Sequence, residues 1–151
     1  MRELNGMMDG SARLLGYSGL LPQIAAIGTM LTGGPELYWT AMAVAYGYAA
    51  FIFSFLGGVW WGLGLAIAQP PRWIFVAAVM PSLIALATYL PWVLGWDWPR
   101  PSLLVLAVAL IASPLVDRLI VRGREGFGGW LQLRWHLSLG LGGMTLLAGL
   151  L

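Results

Sequence analysis

Aspartate, glutamate, lysine and arginine are absent from five long stretches of this chain, 14–35, 37–71, 73–96, 101–116 and 135–151, and that absence limits the possible folds more than any motif does. Each stretch approaches or exceeds the roughly 20 apolar residues that cross a hydrocarbon core, once interfacial residues at its ends are counted. A soluble domain carries about 25% charged residues. This chain carries 9%, against 60% hydrophobic residues, so its apolar surplus has to face lipid.

The spacing predicts helices near 12–32, 37–68, 73–94, 102–121 and 128–151, forming one all-α transmembrane domain over residues 1–151. Gly33-Gly34-Pro35, Gln69-Pro70-Pro71, the segment from Gly95 to Pro101 and the segment from Gly123 to Gly129 supply the breaks. Connections this short make adjacent helices antiparallel, giving a five-helix bundle in up-and-down order. The stretch after Arg13 has the look of a signal peptide, with Ala25-Ala26 as a small-residue site, but the uncharged run continues to Pro35 and reads better as a span.

All eight basic residues are arginines, and seven of them (Arg2, Arg13, Arg72, Arg118, Arg122, Arg124 and Arg134) fall on the N-terminal side of this topology, leaving only Arg100 opposite. Basic residues near span ends favour the cytoplasm, so the N-terminus is expected inside and the C-terminus outside. Trp92, Trp96 and Trp98 suit the outer interface, and Trp73 and Trp130 the inner one.

The second segment is too long to be routine. A helix over 37–68 reaches about 48 Å, against a hydrocarbon core of about 30 Å. It must tilt, bend or break, and Gly57-Gly58 is the place where a break would fall. A single tilted helix with an extra turn outside is the favoured alternative.

The chain has no cysteine and one histidine, which removes disulfides, iron–sulfur clusters and thiolate zinc sites and leaves no expectation of a metal or cofactor. A net charge of +2 gives no reason to expect a nucleic-acid partner. No nucleophile elbow, phosphate loop, zinc-protease motif or dinucleotide fingerprint occurs, so the chain is not expected to be an enzyme.

Three groups of residues remain as candidates. Ser54, Gly58, Gly62 and Ala66 recur every four residues, with Gly57 and Gly64 beside them, and form a small-residue face for close helix packing; Gly140, Gly142, Gly143 and Gly149 offer a complementary one. The ionisable residues Asp117, Arg118, Arg134 and His136 stand near or within the hydrocarbon, where a charge needs a partner or water. Asp117 and Arg134 are expected at similar depth and so to pair, with Trp60 or Trp61 stacked on the guanidinium and His136 available to titrate. Pro81 and Pro114 are expected to kink their helices and to free carbonyls within reach of Ser82 and Ser113.

The run from Tyr46 to Gly62, with Ser54-Phe55-Leu56-Gly57-Gly58 at its heart, resembles the signature of a family of multi-pass membrane proteins of unknown function that includes mitochondrial transmembrane protein 69. Pro81-Ser82-Leu83, and Leu133-Arg134 with Leu137-Ser138, are similar to further elements of that family. The resemblance implies a bacterial or mitochondrial inner membrane and carries no activity. Trp60 stands where the family often has a polar residue, which argues against a polar role at that position.

For this chain the location expected is a bacterial inner membrane, with the lipid bilayer as its surroundings. The leading functional expectation is a small channel-like or transporter-like bundle, with a cytoplasm-facing polar pocket built from Asp117, Arg134, His136, Trp61 and Ser54. The alternative is an assembly protein that binds a second copy, or another membrane subunit, through the face carrying Ser54, Gly57, Gly58, Gly62 and Ala66. A membrane enzyme or lipid-binding site, with Arg118, Arg122 and Arg124 gathering lipid phosphates near Asp117 and His136, ranks third.

Overall fold

The computed structural model describes residues 10–151, and those residues form helices and connecting turns without a strand. Six helices follow one another: α1 (Gly10–Ser18), α2 (Leu21–Thr32), α3 (Pro35–Ala66), α4 (Trp73–Val93), α5 (Arg100–Ile120) and α6 (Gly128–Leu150). Four stretches are long and apolar enough to cross a membrane: Gly10–Thr32, which combines α1 and α2, and then α3, α4 and α5. α6 has 23 residues but is less apolar, because Gln132, Arg134 and His136 interrupt its hydrophobic run.

Large apolar side chains point outward. Leu14, Phe51, Phe55 and Val108 are all exposed, and Phe51 is 75% accessible. In water such a surface would aggregate, whereas in lipid it is solvated, as the four apolar helices also suggest for a membrane protein. The interior is made of smaller residues. Along α3, Ala41, Ala45, Ala49, Phe53, Leu56 and Trp60 follow a helical period and are buried, because α3 touches α2, α4, α5 and α6.

α3 is continuous through Gly57-Gly58, so the favoured reading of a single long helix describes it. The discontinuity lies in the first span, between Ser18 and Leu21. Pro22 explains it: proline lacks the N–H that would bond the Ser18 carbonyl, and its ring crowds that same carbonyl. Gly19 turns back on α1 through its N–H, which reaches the carbonyls of Leu15 and Gly16 at 3.2 and 3.1 Å.

The ends of the helices follow the turn chemistry. α4 closes with Gly95 at φ +71°, while Gly95 N–H bonds the Trp92 carbonyl at 3.2 Å and Trp96 N–H bonds the Pro91 carbonyl at 2.8 Å. This is the glycine-terminated cap in which a left-handed residue turns the chain back on the last carbonyls.

The glycines do not form the single packing face read from their spacing. Gly57 and Gly64 face α4, and a Cβ at Gly57 would stand 2.3 Å from the Ala78 carbonyl oxygen. The hydrogen in that place therefore makes a Cα–H···O contact. Gly58 and Gly62 meet nothing within 4 Å and lie on the outer surface with Ala66. Gly142 and Gly149 pack on Ile111 and Leu104 of α5, and Gly140 packs on Leu20. They do not meet the α3 face.

Gly57→Ala is therefore expected to lower stability by about 2 kcal/mol through overpacking. Gly58→Ala, at an open helical site, is expected to be neutral or to stabilise by up to about 1 kcal/mol. Denaturant unfolding of both variants in the same lipid or detergent checks the contrast.

Candidate functional site

Asp117 lies one turn before the end of α5 and is fully buried. Its Oδ1 accepts the indole Nε1–H of Trp60 at 2.7 Å, and its Oδ2 accepts Nε–H of Arg134 at 2.8 Å. Three helices thus converge on one carboxylate: α3 through Trp60, α6 through Arg134, and α5 itself. The Arg134 side chain is 11% exposed, so this ion pair is largely withdrawn from the surroundings.

Pro114 frees the carbonyl of Leu110, four residues before it. Ser113 Oγ donates to that carbonyl at 2.8 Å. Because a hydroxyl has one proton, Ser113 can only accept in its other contacts, which are Arg134 Nη2 at 3.3 Å and Ser138 Oγ at 3.1 Å. Ser138 is consequently the donor of the serine pair. The network runs without a gap from Trp60 to Asp117, Arg134, Ser113 and the backbone of α5.

Arg134 has five N–H groups, and the bonds to Asp117 and Ser113 use two of them. Arg134 also lines a cavity of about 240 Å³ at the break in the first span. Leu15 and Gly19 come to this cavity from the α1–α2 elbow, Tyr48 and Ile52 from α3, and Ser138 from α6. The Tyr48 hydroxyl donates to the Gly19 carbonyl, one of the groups exposed by the break. A close approach of α1 to α6 is possible because Gly16 has no Cβ; one would stand 3.3 Å from Leu137 Cδ1.

Of the five residues expected to build a polar pocket, the structure brings Asp117 and Arg134 together and places His136, Trp61 and Ser54 elsewhere. Trp61 is 45% exposed and packs edge-on against Phe75, with ring centroids 5.1 Å apart. Its neighbour Trp60 points inward. Position 60 has a polar role after all, through its indole N–H rather than by stacking on the guanidinium. His136 is exposed, and its Nδ1 meets the Tyr17 hydroxyl at 2.8 Å on the side facing α1. Ser54 donates to Ser82 at 3.2 Å between α3 and α4, so Ser82 turns to Ser54 while only Ser113 meets a proline-freed carbonyl. Pro81 and Pro114 both lie inside unbroken helices.

Several polar residues carry structure that the sequence reading did not single out. Gln23 is fully buried in α2, and its Nε2 donates to Thr145 of α6 at 3.1 Å. Towards the end of α5 away from Asp117, Ser102 donates to the Thr88 carbonyl at 2.6 Å, and Tyr46 lies 3.1 Å from the Thr88 hydroxyl. A glutamine within an apolar run, directly after Pro22, was the available signal for the first of these. Among the described residues no group of three or more His, Asp or Glu side chains is arranged to hold a metal ion.

Over residues 8–151 the chain matches the family described as protein of unknown function (DUF3429), and it belongs to that family. No curated protein and no solved structure matches it.

Removing one partner of the buried pair leaves the other as an uncompensated charge, so Arg134→Gln is expected to destabilise by about 3–5 kcal/mol. The double variant Asp117→Asn/Arg134→Gln should recover much of that loss, because neither charge remains. Trp60→Phe should cost about 2 kcal/mol for the lost bond to a charged acceptor. A double-mutant cycle read by unfolding measures the coupling, and additive single effects would contradict it.

Proposed function

We propose that this member of the DUF3429 family is a five-span protein of a bacterial inner membrane, with its N-terminus in the cytoplasm, and that it works as a small transporter-like bundle. Its binding site is the groove beside the break in the first span. α6 supplies the fifth crossing: at about 34 Å it is long enough, and Arg134, its one charged residue, is compensated by Asp117. The arginine bias supports the orientation, placing the Asp117–Arg134 end of the bundle towards the cytoplasm.

The observation that carries this reading is a partly buried guanidinium with uncommitted donors on a cavity at a helix interruption. Membrane transporters build binding sites where spans are interrupted, because backbone groups and polar side chains can there face a cavity rather than lipid. The cavity wall is mostly apolar, with Leu15, Leu20, Ile52 and Leu141 among its residues. That favours a bound and released ligand over a continuous hydrated channel. His136, Trp61 and Ser54 have no part in this site.

A second reading, as an assembly protein, has its own observation: Gly58 and Gly62 are open on the surface of α3. A row of small residues in lipid lets another helix come close.

The chain contains no cysteine, so single cysteines report access directly. In vesicles, a water-soluble thiol reagent on the cytoplasmic side is expected to modify Ile52→Cys at least about tenfold faster than Leu106→Cys, which lies in the packed core. Equal, slow reaction at both positions would remove the transporter-like reading. For the second reading, Gly58→Leu should keep the fold and dissociate any oligomer measured by light scattering; an oligomer that survives it argues against that surface.

A further inference from the structure

We infer that the groove beside Arg134 holds a single-chain amphiphile with a carboxyl head, the head on Arg134 and the chain along the apolar wall. The inference rests on the groove being the binding site and names what it takes.

The open side of the groove faces the bilayer. Two of its lining residues, Leu15 and Phe55, are 71% and 65% exposed on the outer surface of the bundle. A ligand can therefore enter sideways from lipid, and its chain can lie against Leu20, Ile52, Leu137 and Leu141. A hydrophilic solute would leave this wall without compensation for its lost hydration.

The hydrogen-bond inventory selects the head. Three N–H groups of Arg134 are uncommitted and call for acceptors. Ser138 and Tyr48 have spent their protons on Ser113 and on the Gly19 carbonyl, so both present lone pairs. A carboxyl head meets both needs: its oxygens accept from Arg134, and in the acid form its O–H can donate to Ser138 or Tyr48. An ammonium head has donors alone and would meet the guanidinium as a like charge.

Electrostatics then separates a carboxyl from a phosphate monoester. The Asp117–Arg134 pair is already neutral as a unit. A carboxyl adds at most one charge to a low-dielectric site, whereas a phosphate monoester adds up to two, and the cost of burying charge rises accordingly. The Asp117 oxygens accept from Trp60 and Arg134, and the residue is fully buried, so the carboxylate does not face the occupant.

The test uses the full chain in nanodiscs of phosphatidylcholine with radiolabelled oleate as the probe. Saturable binding of one oleate per chain is expected, with no competition from oleylamine, which has the same chain and a cationic head, and none from acetate. Ile52→Trp, which fills the groove and leaves the polar network intact, should abolish binding. Asp117→Asn/Arg134→Gln, with no orphaned charge, should weaken it about tenfold or more through loss of charge-assisted bonds.

Equal competition by oleylamine would overturn the inference, as would dodecyl phosphate displacing oleate much better than dodecanoate does, or acetate displacing it alone. Absence of saturable binding would overturn it too; if Ile52→Cys still reacts with water-soluble reagents in that case, the transporter-like reading stands without this ligand. Oleate binding to a groove that such reagents never reach gives the opposite division: the carboxyl site stands and transport falls.

Discussion

The contact between Asp117 and Arg134 fixes more of this molecule than any other. Each side chain would be expensive alone at this depth, and each is acceptable because the other is 2.8 Å away. The two residues are on neighbouring helices joined by a turn in which Gly123 and Gly126 take positive φ. Sliding α6 by one turn, about 5.4 Å, would strand both charges. Trp60 extends the constraint to α3, because its indole N–H is the second donor to the same carboxylate. The register of three helices therefore depends on one carboxyl group.

Around that point the bundle brings backbones together with glycine and shows two outcomes for proline. Glycines seven residues apart bring helix pairs close: Gly57 and Gly64 against α4, and Gly142 and Gly149 against α5. Apolar side chains do not drive helices together in lipid, so contact at backbone distance has to come from packing of this kind. Pro114 leaves α5 unbroken where Ser113 takes up the Leu110 carbonyl. Pro22 ends α1 where Gly19 allows the chain to turn, and Tyr48 takes up the Gly19 carbonyl. The second outcome opens the groove.

The sequence was most legible where a single physical rule decides the result. Runs without charge located the helices, and the depth of Asp117 and Arg134 along their spans was enough to pair them. Periodicity was less informative. A four-residue repeat of small residues shows that they share a face, but not that Gly58 and Gly62 look outward while Gly57, one residue away, meets Ala78. The same holds for Trp60 and Trp61: adjacent residues point about 100° apart on a helix, and only the packing of α3 on α5 decides which one reaches Asp117. The break was sought in the longest segment, although Pro22 with Gly19 marked it in the first. His136 was grouped with Arg134 by proximity in sequence, yet two residues of separation on a helix turn the side chains to nearly opposite sides, and His136 meets Tyr17 instead.

A purely structural ion pair in lipid is most stable when every donor is satisfied inside the protein, since an N–H turned towards hydrocarbon meets no acceptor there. Asp117 fits that description and Arg134 does not. Its carboxylate partner is enclosed by α3, α5 and α6, while the guanidinium extends past Ser113 to the wall of a cavity. The cavity exists because the first span breaks, and the break costs helical hydrogen bonds that an uninterrupted helix would have kept. Two departures from the most stable arrangement therefore coincide at one place, a guanidinium with unused donors and an interrupted span. The link between them is structural as well as spatial. Ser113 holds Arg134 on one side and the Leu110 carbonyl freed by Pro114 on the other, so a ligand that draws the guanidinium towards the groove acts on the hydrogen bonds that keep α5 whole.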